Sequence, residues 1–382
     1  MKIVYITVAR VPTEKAHGLQ IMKMCQAFSK RVDLELIKPF RLQPKITKNK
    51  DPFEFFGLKR DFKIITLPSP PLLWLAKYFP QRFQRIFFHL QSIIFALEVF
   101  IYCLFKKADI YYLRDGYSLF LLTFLKRNLY LEEHMPQSSR FYKLLLKRVS
   151  GLIVITNKLK EYYVREGVPE EKIIVAPDGV DLEMFDNLMS KKEARRKLGI
   201  PIDKRVICYT GHLYDWKGVN ILAMSMKYLS DDHICYFVGG TEEDVFKFKK
   251  FIEKNKIPNT VVVGYVSPIV VPIYLAASDI LVLPNIRKGL SEFTSPLKLF
   301  EYMASKRPIV ASDLPSIREI LNEENAVLVE PGNPKALAEG IKRVLNDKKF
   351  AYKLSENAYK DVQQYDWVKR AEKIIEFMKS RT

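Results

Sequence analysis

The chain has 382 residues, nearly half of them apolar, which suffices for two domains with substantial cores. Its four cysteines (Cys25, Cys103, Cys208, Cys235) lie scattered in apolar runs without metal-ligand spacing. That excludes a thiolate metal centre and predicts buried free thiols in a reducing compartment. The formal net charge of +19 is uneven: Met1–Ala176 carries +15 and the remainder +4. An excess confined to one half predicts that this half meets something anionic. Nucleic acid is a poor fit, since helix-turn-helix, zinc-finger and aromatic RNA-binding signatures are absent from the sequence. An anionic membrane surface fits better, because the basic residues interleave with bulky apolar ones. A solvated basic surface without a partner would have the same composition.

Lys2–Val8 reads as a buried strand that starts directly after Met1, so no signal peptide is expected. A loop containing His17 and Gly18 follows, then a helix from Leu19 to Lys30; G-x-G-x-x-G is missing, so no dinucleotide fingerprint exists. Arg41–Arg60 reads as an irregular excursion, and Pro68–Pro71 breaks the chain again. Leu72–Phe105 is mostly apolar. His89, Gln91, Ser92 and Glu98 argue against a lipid-exposed span, which leaves a core helix. Its front, with Trp74, Tyr78, Phe79, Arg82, Phe83, Arg85, Phe87 and Phe88, also suits an interfacial anchor.

Strands at Asp109–Leu113, Asn128–Glu132, Gly151–Ile155 and Lys172–Ala176 then alternate with helices at Tyr117–Lys126, Ser138–Val149 and Leu159–Glu166. Such alternation predicts a parallel sheet covered on both faces, with ligands at the carboxyl ends of its strands. Two such ends carry reactive side chains, Arg114-Asp115 and Glu132-Glu133-His134. Pro177-Asp178-Gly179 is a turn signal between domains, and helix Ser190–Leu198, ended by Gly199, leads to a strand at Arg205–Tyr209. In the next turn, Gly211–Gly218, a glycine lets backbone approach a ligand and Lys217 supplies a cation, as a departing diphosphate requires. A solvated loop lysine would look the same. Strands at Cys235–Val238, Val261–Val266 and Asn325–Val329 and a helix at Pro334–Leu345 complete this second array.

Leu290–Asp313 joins two short apolar strands, Asp279–Pro284 and Pro308–Ser312, by a loop and a helix. Ser295 is the predicted N-cap, Pro296 suits the first helical position, and Leu297–Ala304 are good helix formers. Unpaired N–H groups at a helix start can receive a phosphate, Lys298 adds a full charge, and Glu301 could accept from sugar hydroxyls. Together they describe a seat for a nucleoside diphosphate. A capped surface helix with a weak Lys298–Glu301 contact fits the same residues. The chain ends in an amphipathic helix with Trp367, Ala371, Ile374, Ile375 and Met378 on one face.

These motifs resemble those of retaining glycosyltransferases of the GT-B type, family 4 (glycosyl transferases group 1). The likeness is strongest at Ser295–Ser312, then Gly211–Gly218, then Pro177–Asp181. It implies an α/β fold of two Rossmann-like domains whose parallel sheets face an interdomain cleft. The expected boundaries are 1–176 for an acceptor domain, 177–364 for a nucleotide-sugar domain, and 365–382 for a helix crossing back. The implied activity is transfer of a hexose from a nucleotide-diphosphate donor to a hydroxyl of a glycan or glycolipid, with retention and without a metal. Glu301 matches the second Glu of the family motif, which holds the ribose; the first falls on Phe293, so either Glu292 or backbone near Thr294 and Ser295 takes the sugar contact. Lys217, His212 (where relatives carry Arg), Lys298 and the helix start would hold the diphosphate. Gly211, Gly264, Tyr265 and Gly18 fit donor-side backbone positions, the segment around Gly264 reading the nucleobase. Glu132 and His134 match a Glu-x-His in which the His sits by the transferred sugar. His17, Arg114, Asp115 and Glu132 fall on the acceptor side. The expected location is the cytoplasm, attached at the inner face of the cell membrane. The rival readings are a nucleotide-sugar epimerase or hydrolase on the same architecture, and a non-catalytic membrane-surface binding protein.

Overall fold

The computed structural model describes residues 1–381; the side chains of Lys77, Gln81, Arg82 and Leu290 lie outside the described residues, and with them the part of the aromatic–basic front that rests on Arg82. The chain divides into two units, Met1–Pro177 with Trp367–Thr382, and Asp178–Asp366.

The first unit holds strands β1 (Lys2–Ile6), β2 (Asp33–Pro39), β3 (Lys63–Leu67), β4 (Ile110–Leu113), β5 (Leu129–Glu133), β6 (Gly151–Val154) and β7 (Ile173–Val175). They form one parallel sheet in the order β3-β2-β1-β4-β5-β6-β7. Every residue of β4, β5 and β6 is buried, as strands covered on both faces require. Strand order reverses between β1 and β4, where Ile6 pairs with Leu113, so their carboxyl ends open the crevice in which such sheets bind ligands. β2 and β3 escape the sequence reading because their charged residues interrupt the apolar runs. In the fold, the buried Glu35 of β2 is matched by Lys106 Nζ at 2.8 Å.

Two sequence expectations change here. The helix after β1 runs Ala16–Ser29, so His17 and Gly18 lie in its first turn and not in a loop. Lys15 is its N-cap, and Gly18 N–H already donates to Lys15 O at 3.0 Å. A Cβ on Gly18 would stand 2.3 Å from Thr13 Cγ2, so close packing of the preceding loop demands glycine at this position.

The long helix Gln81–Phe105 is a core helix on one side only. Its stretch Phe83–Phe105 is long and apolar enough to cross a membrane by length and composition, and 33% of the most apolar window is buried. Gln91, Ser92 and Glu98 point inward, while Gln84, Arg85 and His89 are exposed. Gln91 and Ser92 are fully buried, Gln91 Oε1 accepts from Leu73 N–H at 3.0 Å, and Glu98 accepts from Ser69 Oγ. The opposite side exposes Ile86, Leu90, Ile93, Leu97, Ile101 and Leu104, one stripe at helical spacing.

The second unit holds β8 (Arg205–Thr210), β9 (His233–Val238), β10 (Thr260–Gly264), β11 (Ile280–Leu283), β12 (Ile309–Ser312) and β13 (Val327–Val329). The order β10-β9-β8-β11-β12-β13, all parallel, again reverses beside the first strand, between β8 and β11. Helix Lys191–Leu198 enters through a capping box between Ser190 and Glu193 and leaves at Gly199, whose φ is 65°. Beyond β8, Gly218 (φ 76°) lies so close to β11's exit that a Cβ there would stand 1.7 Å from Pro284 O. Gly218→Ala is therefore expected to destabilise the unit by ~2 kcal/mol or more, from strain and backbone displacement. Urea unfolding reads this as a lower midpoint, and an unchanged midpoint would contradict the packing described.

Candidate active-site residues in each unit

In the second unit the reversal between β8 and β11 gathers most of the expected donor-side residues. The turn after β8 begins at Gly211, whose φ of 124° is glycine territory. Lys298 Nζ lies 3.7 Å from the centre of the Tyr209 ring, and a Cβ on Gly211 would stand 2.7 Å from that nitrogen. Lys298 comes from the first turn of helix Leu297–Ala304, and Glu301 from one turn further along. Burial pushes the Lys298 ammonium well below the usual lysine range; the charge of Lys217 adds to the shift, and Glu301 works against it. Among the described residues, Lys298 Nζ is buried without a hydrogen-bond partner. Lys217 closes a 3-10 turn, Asp215–Lys217, with its ammonium 4.0 Å from the centre of the Trp216 ring, and burial lowers its pKa to about 8. Two lysines thus repel each other across a glycine turn, an arrangement that an incoming dianion would relieve.

His212 plays a different part. Its ring stacks on Tyr214 at 4.9 Å, Tyr214 stacks on Trp216 at 6.2 Å, and His212 Nδ1 lies 3.6 Å from Asp244 Oδ2. Ser295 is not the helix cap. Pro296 occupies that position, and Ser295 Oγ accepts from Asp178 N–H at 3.1 Å. The helix start therefore has no side-chain cap and no acidic residue in its first turn, and Leu299 N–H turns back to Pro296 O at 2.9 Å. Glu292 and Phe293 sit on a 3-10 turn, Gly289–Phe293. Ser291 pins that turn: Lys288 N–H donates to its Oγ at 3.2 Å, and the Thr294 and Ser316 hydroxyls donate to its carbonyl at 3.0 and 2.9 Å. Gly264 ends β10 with φ 85°, and its carbonyl accepts from Gly239 N–H at 2.7 Å; Tyr265 follows it.

In the first unit, Glu132 is fully buried at the end of β5 and is the centre of a network. Gln20 Nε2, His134 Nε2 and Arg370 Nη2 each reach its Oε1 at 2.8 Å, and Tyr112 OH donates to Oε2 at 2.6 Å. Burial alone would raise the Glu132 pKa, but Arg370, Arg114 and the bond from His134 outweigh it and hold the carboxyl well below its usual range. Glu132 thus fixes one ring nitrogen of His134. Arg370 also donates to Pro177 O at 2.9 Å and Ala176 O at 3.1 Å. Its neighbour Glu133 is pushed up to about 8 by burial, against Arg114 and with Glu132 and Asp115 adding to the rise. Asp115 is a buried cap that accepts from Ser118 N–H at 2.7 Å, and burial lifts its pKa to about 6.

Arg114 and His17, by contrast, line a cavity of about 630 Å³ at the exit of β1 and β4. The His17 imidazole is held neutral, its pKa lowered to about 4 by burial and then by Arg114, Lys15 and Arg10. Sequence reading missed Gln20, Tyr112 and Arg370 because nothing local marks them: their partners lie 112, 20 and 238 positions away.

Comparison with known proteins places this geometry. Residues 190–361 match the family described as "Glycosyl transferases group 1". That segment is similar to the group 1 family. The chain is 27% identical over 233 residues to the putative teichuronic acid biosynthesis glycosyltransferase TuaC of Bacillus subtilis (strain 168), covering 60% of this chain and 56% of that protein. It is 28% identical over 237 residues to an Escherichia coli UDP-Gal:alpha-D-GlcNAc-diphosphoundecaprenol alpha-1,3-galactosyltransferase, covering 60% and 59%. The match therefore spans somewhat over half the length of either relative. The crystal structure of Anabaena Alr3699/HepE in complex with UDP superposes over 100% of both chains, with a TM-score of 0.75 and 18% identity. The GT-B fold is common to both, and the Gly211 turn, Lys217, Lys298 and Glu301 all fall inside the group 1 segment.

Arg370→Ala would leave the Glu132 carboxylate buried with its main counter-charge gone, and is expected to cost ~3–5 kcal/mol. Thermal unfolding of Arg370→Ala beside the Glu132→Gln/Arg370→Met pair checks this; equal losses in both would contradict a charge-based role.

Proposed function

We propose that the chain transfers a sugar from a nucleoside-diphosphate donor, bound in the second unit, to a hydroxyl of a glycan or lipid-linked glycan bound in the first. The observation that carries this reading is the pair Lys217 and Lys298, set around the Gly211 turn beside an uncapped helix start. Fixed positive charge at that point stabilises the diphosphate as the glycosidic bond to it breaks. The UDP in the HepE complex and the UDP-sugar in the name of the galactosyltransferase support a uridine donor. Lipid-linked acceptors are named for that relative and for a Campylobacter jejuni one, which supports attachment at a membrane.

The finer proposal is retention of anomeric configuration without a metal. Two lysines and a helix terminus would meet the charge that a divalent cation meets elsewhere. Glu301, one turn into the same helix, would accept from the ribose, and Glu292 or the backbone at Thr294 and Ser295 would hold the sugar. His134, fixed by Glu132, is the group assigned to position the transferred sugar. The leaving diphosphate would take the acceptor's proton. An epimerase or hydrolase would consume donor without acceptor, and product analysis with and without acceptor separates the three.

Lys217→Ala is expected to lower kcat by ~100-fold or more, the usual scale for one preorganised charge at a developing anion. Glu301→Gln should act mainly on donor affinity, and EDTA should leave the wild-type rate unchanged. Full turnover by both variants would refute the assignment. Because Lys217 titrates at about 8 in the free chain, it is charged below that value and neutral above it. Affinity for UDP should therefore fall as pH rises past 8, approaching roughly tenfold per pH unit for one linked proton. Calorimetry in two buffers of different ionisation enthalpy should show proton uptake on binding.

A further inference from the structure

One oxygen in the first unit is claimed by three donors, and one of the three reaches back to the cavity. Glu132 Oε1 accepts from Gln20 Nε2, His134 Nε2 and Arg370 Nη2, each at 2.8 Å, while Tyr112 OH takes Oε2 at 2.6 Å. The Glu132 carboxyl is ionised and can only accept, so the ring proton of His134 sits on Nε2 and points at it. A carboxylate oxygen offers about two lone-pair sites. Three donors oversubscribe Oε1, and weakening one of them strengthens the other two.

Gln20 is the donor that connects to the cavity. It is 2% exposed, its Nε2 faces Glu132, and its Oε1 accepts from Arg114 Nη1. This amide has a single orientation. Turned over, its oxygen would face the carboxylate and its NH2 the guanidinium, two repulsive contacts in place of two hydrogen bonds. Arg114 follows β4 directly and lines the cavity, as does His17, one turn ahead of Gln20 on the helix Ala16–Ser29. A continuous chain of hydrogen bonds therefore runs from the cavity wall through Arg114, Gln20 and Glu132 to His134. Such chains polarise along their length, so donation from Arg114 makes the Gln20 Nε2–H a stronger donor to Glu132.

We propose that Gln20 is a positioning residue that links the cavity to His134. A ligand oxygen in the cavity draws on the Arg114 guanidinium, which weakens its bond to Gln20 and, one step on, the bond from Gln20 to Glu132. Oε1 then holds His134 more tightly, so the imidazole is set most firmly when the cavity is filled. This rests on the transferase reading, in which His134 positions the transferred sugar and the acceptor binds in the first unit. Coupling of this kind is reciprocal, so a ligand that fixes His134 also favours a filled cavity.

The test is NMR of the full chain, isotope-labelled at the histidine ring nitrogens and read through the carbon-bound ring protons. The His134 signals are identified by their loss in His134→Gln. Gln20→Met, which fills the space without either hydrogen bond, should move His134 Nε2 downfield, the direction of a stronger bond from N–H. Arg114→Met should move it the same way, and the double variant by less than the two shifts added, because both act on one chain. Arg114→Met carries the comparison alone where heat unfolding shows that Gln20→Met has not folded. A merely structural role predicts the reverse, since a loosened pocket lengthens the bond and moves Nε2 upfield. Sulfate serves as a plain oxyanion probe, because Arg10, Lys15, Arg41 and Arg114 line the cavity against Glu14. It should move Nε2 downfield in the wild type and leave it in place in Gln20→Met. An absent or upfield shift, shifts that add in full, or a sulfate response that is missing in the wild type or survives Gln20→Met would overturn the proposal. Calorimetry with UDP on the same preparation separates the two readings. UDP binding without the coupling sinks this inference alone, and coupling without UDP binding sinks the transferase reading.

Discussion

The second unit depends on an unresolved repulsion. Lys298 and Lys217 approach one glycine turn, each removed from water, with Glu301 the one carboxylate that offsets the shift at Lys298. Burying an ammonium is costly, and a protein normally avoids it or pairs it. Here aromatic faces, Tyr209 under Lys298 and Trp216 under Lys217, take the place of counter-ions and hold both groups without neutralising them. The cost is borne by the β8–β11 core, whose strand residues are largely buried. A nearby anion would favour the charged form of both groups.

The first unit solves the opposite problem. Its buried charge, Glu132, is held by partners from three elements and from the loop after β5, so it is fixed. That rigidity passes to His134, which is half-buried and has one ring nitrogen committed to Glu132. Of the neighbouring carboxyls, Glu133 is pushed up to about 8 and holds its proton at neutral pH, whereas Asp115, lifted to about 6, stays mostly ionised there.

Much of this was legible in the sequence, and what was hidden shares one cause. Alternating strands and helices, the Gly211–Gly218 turn and the helix Leu297–Ala304 follow from local signals, because glycine, proline and apolar runs act within a few residues. Ser295 was misassigned because a serine before a proline suits a cap, while its hydroxyl is claimed by a backbone N–H from Asp178, 117 positions away. Glu132 and Asp115 were placed on the acceptor side because a strand end is where ligands gather. Their burial is decided by Arg370 and by the turn at Ser118, which no local pattern announces. The helix Gln81–Phe105 misled in the most instructive way. His89, Gln91, Ser92 and Glu98 argued for burial of the whole helix, yet the last three fill the inward side and leave an apolar stripe outermost.

The division of the chain has a bearing on how it is made. The second unit is one continuous run, Asp178–Asp366, whereas the first is completed by a segment translated after it. Until Arg370 emerges, the Glu132 carboxylate lacks its chief partner, and the Tyr130 hydroxyl lacks the Met378 carbonyl it donates to at 3.0 Å. The second unit therefore has its whole chain available before the first unit has the partners for these two groups.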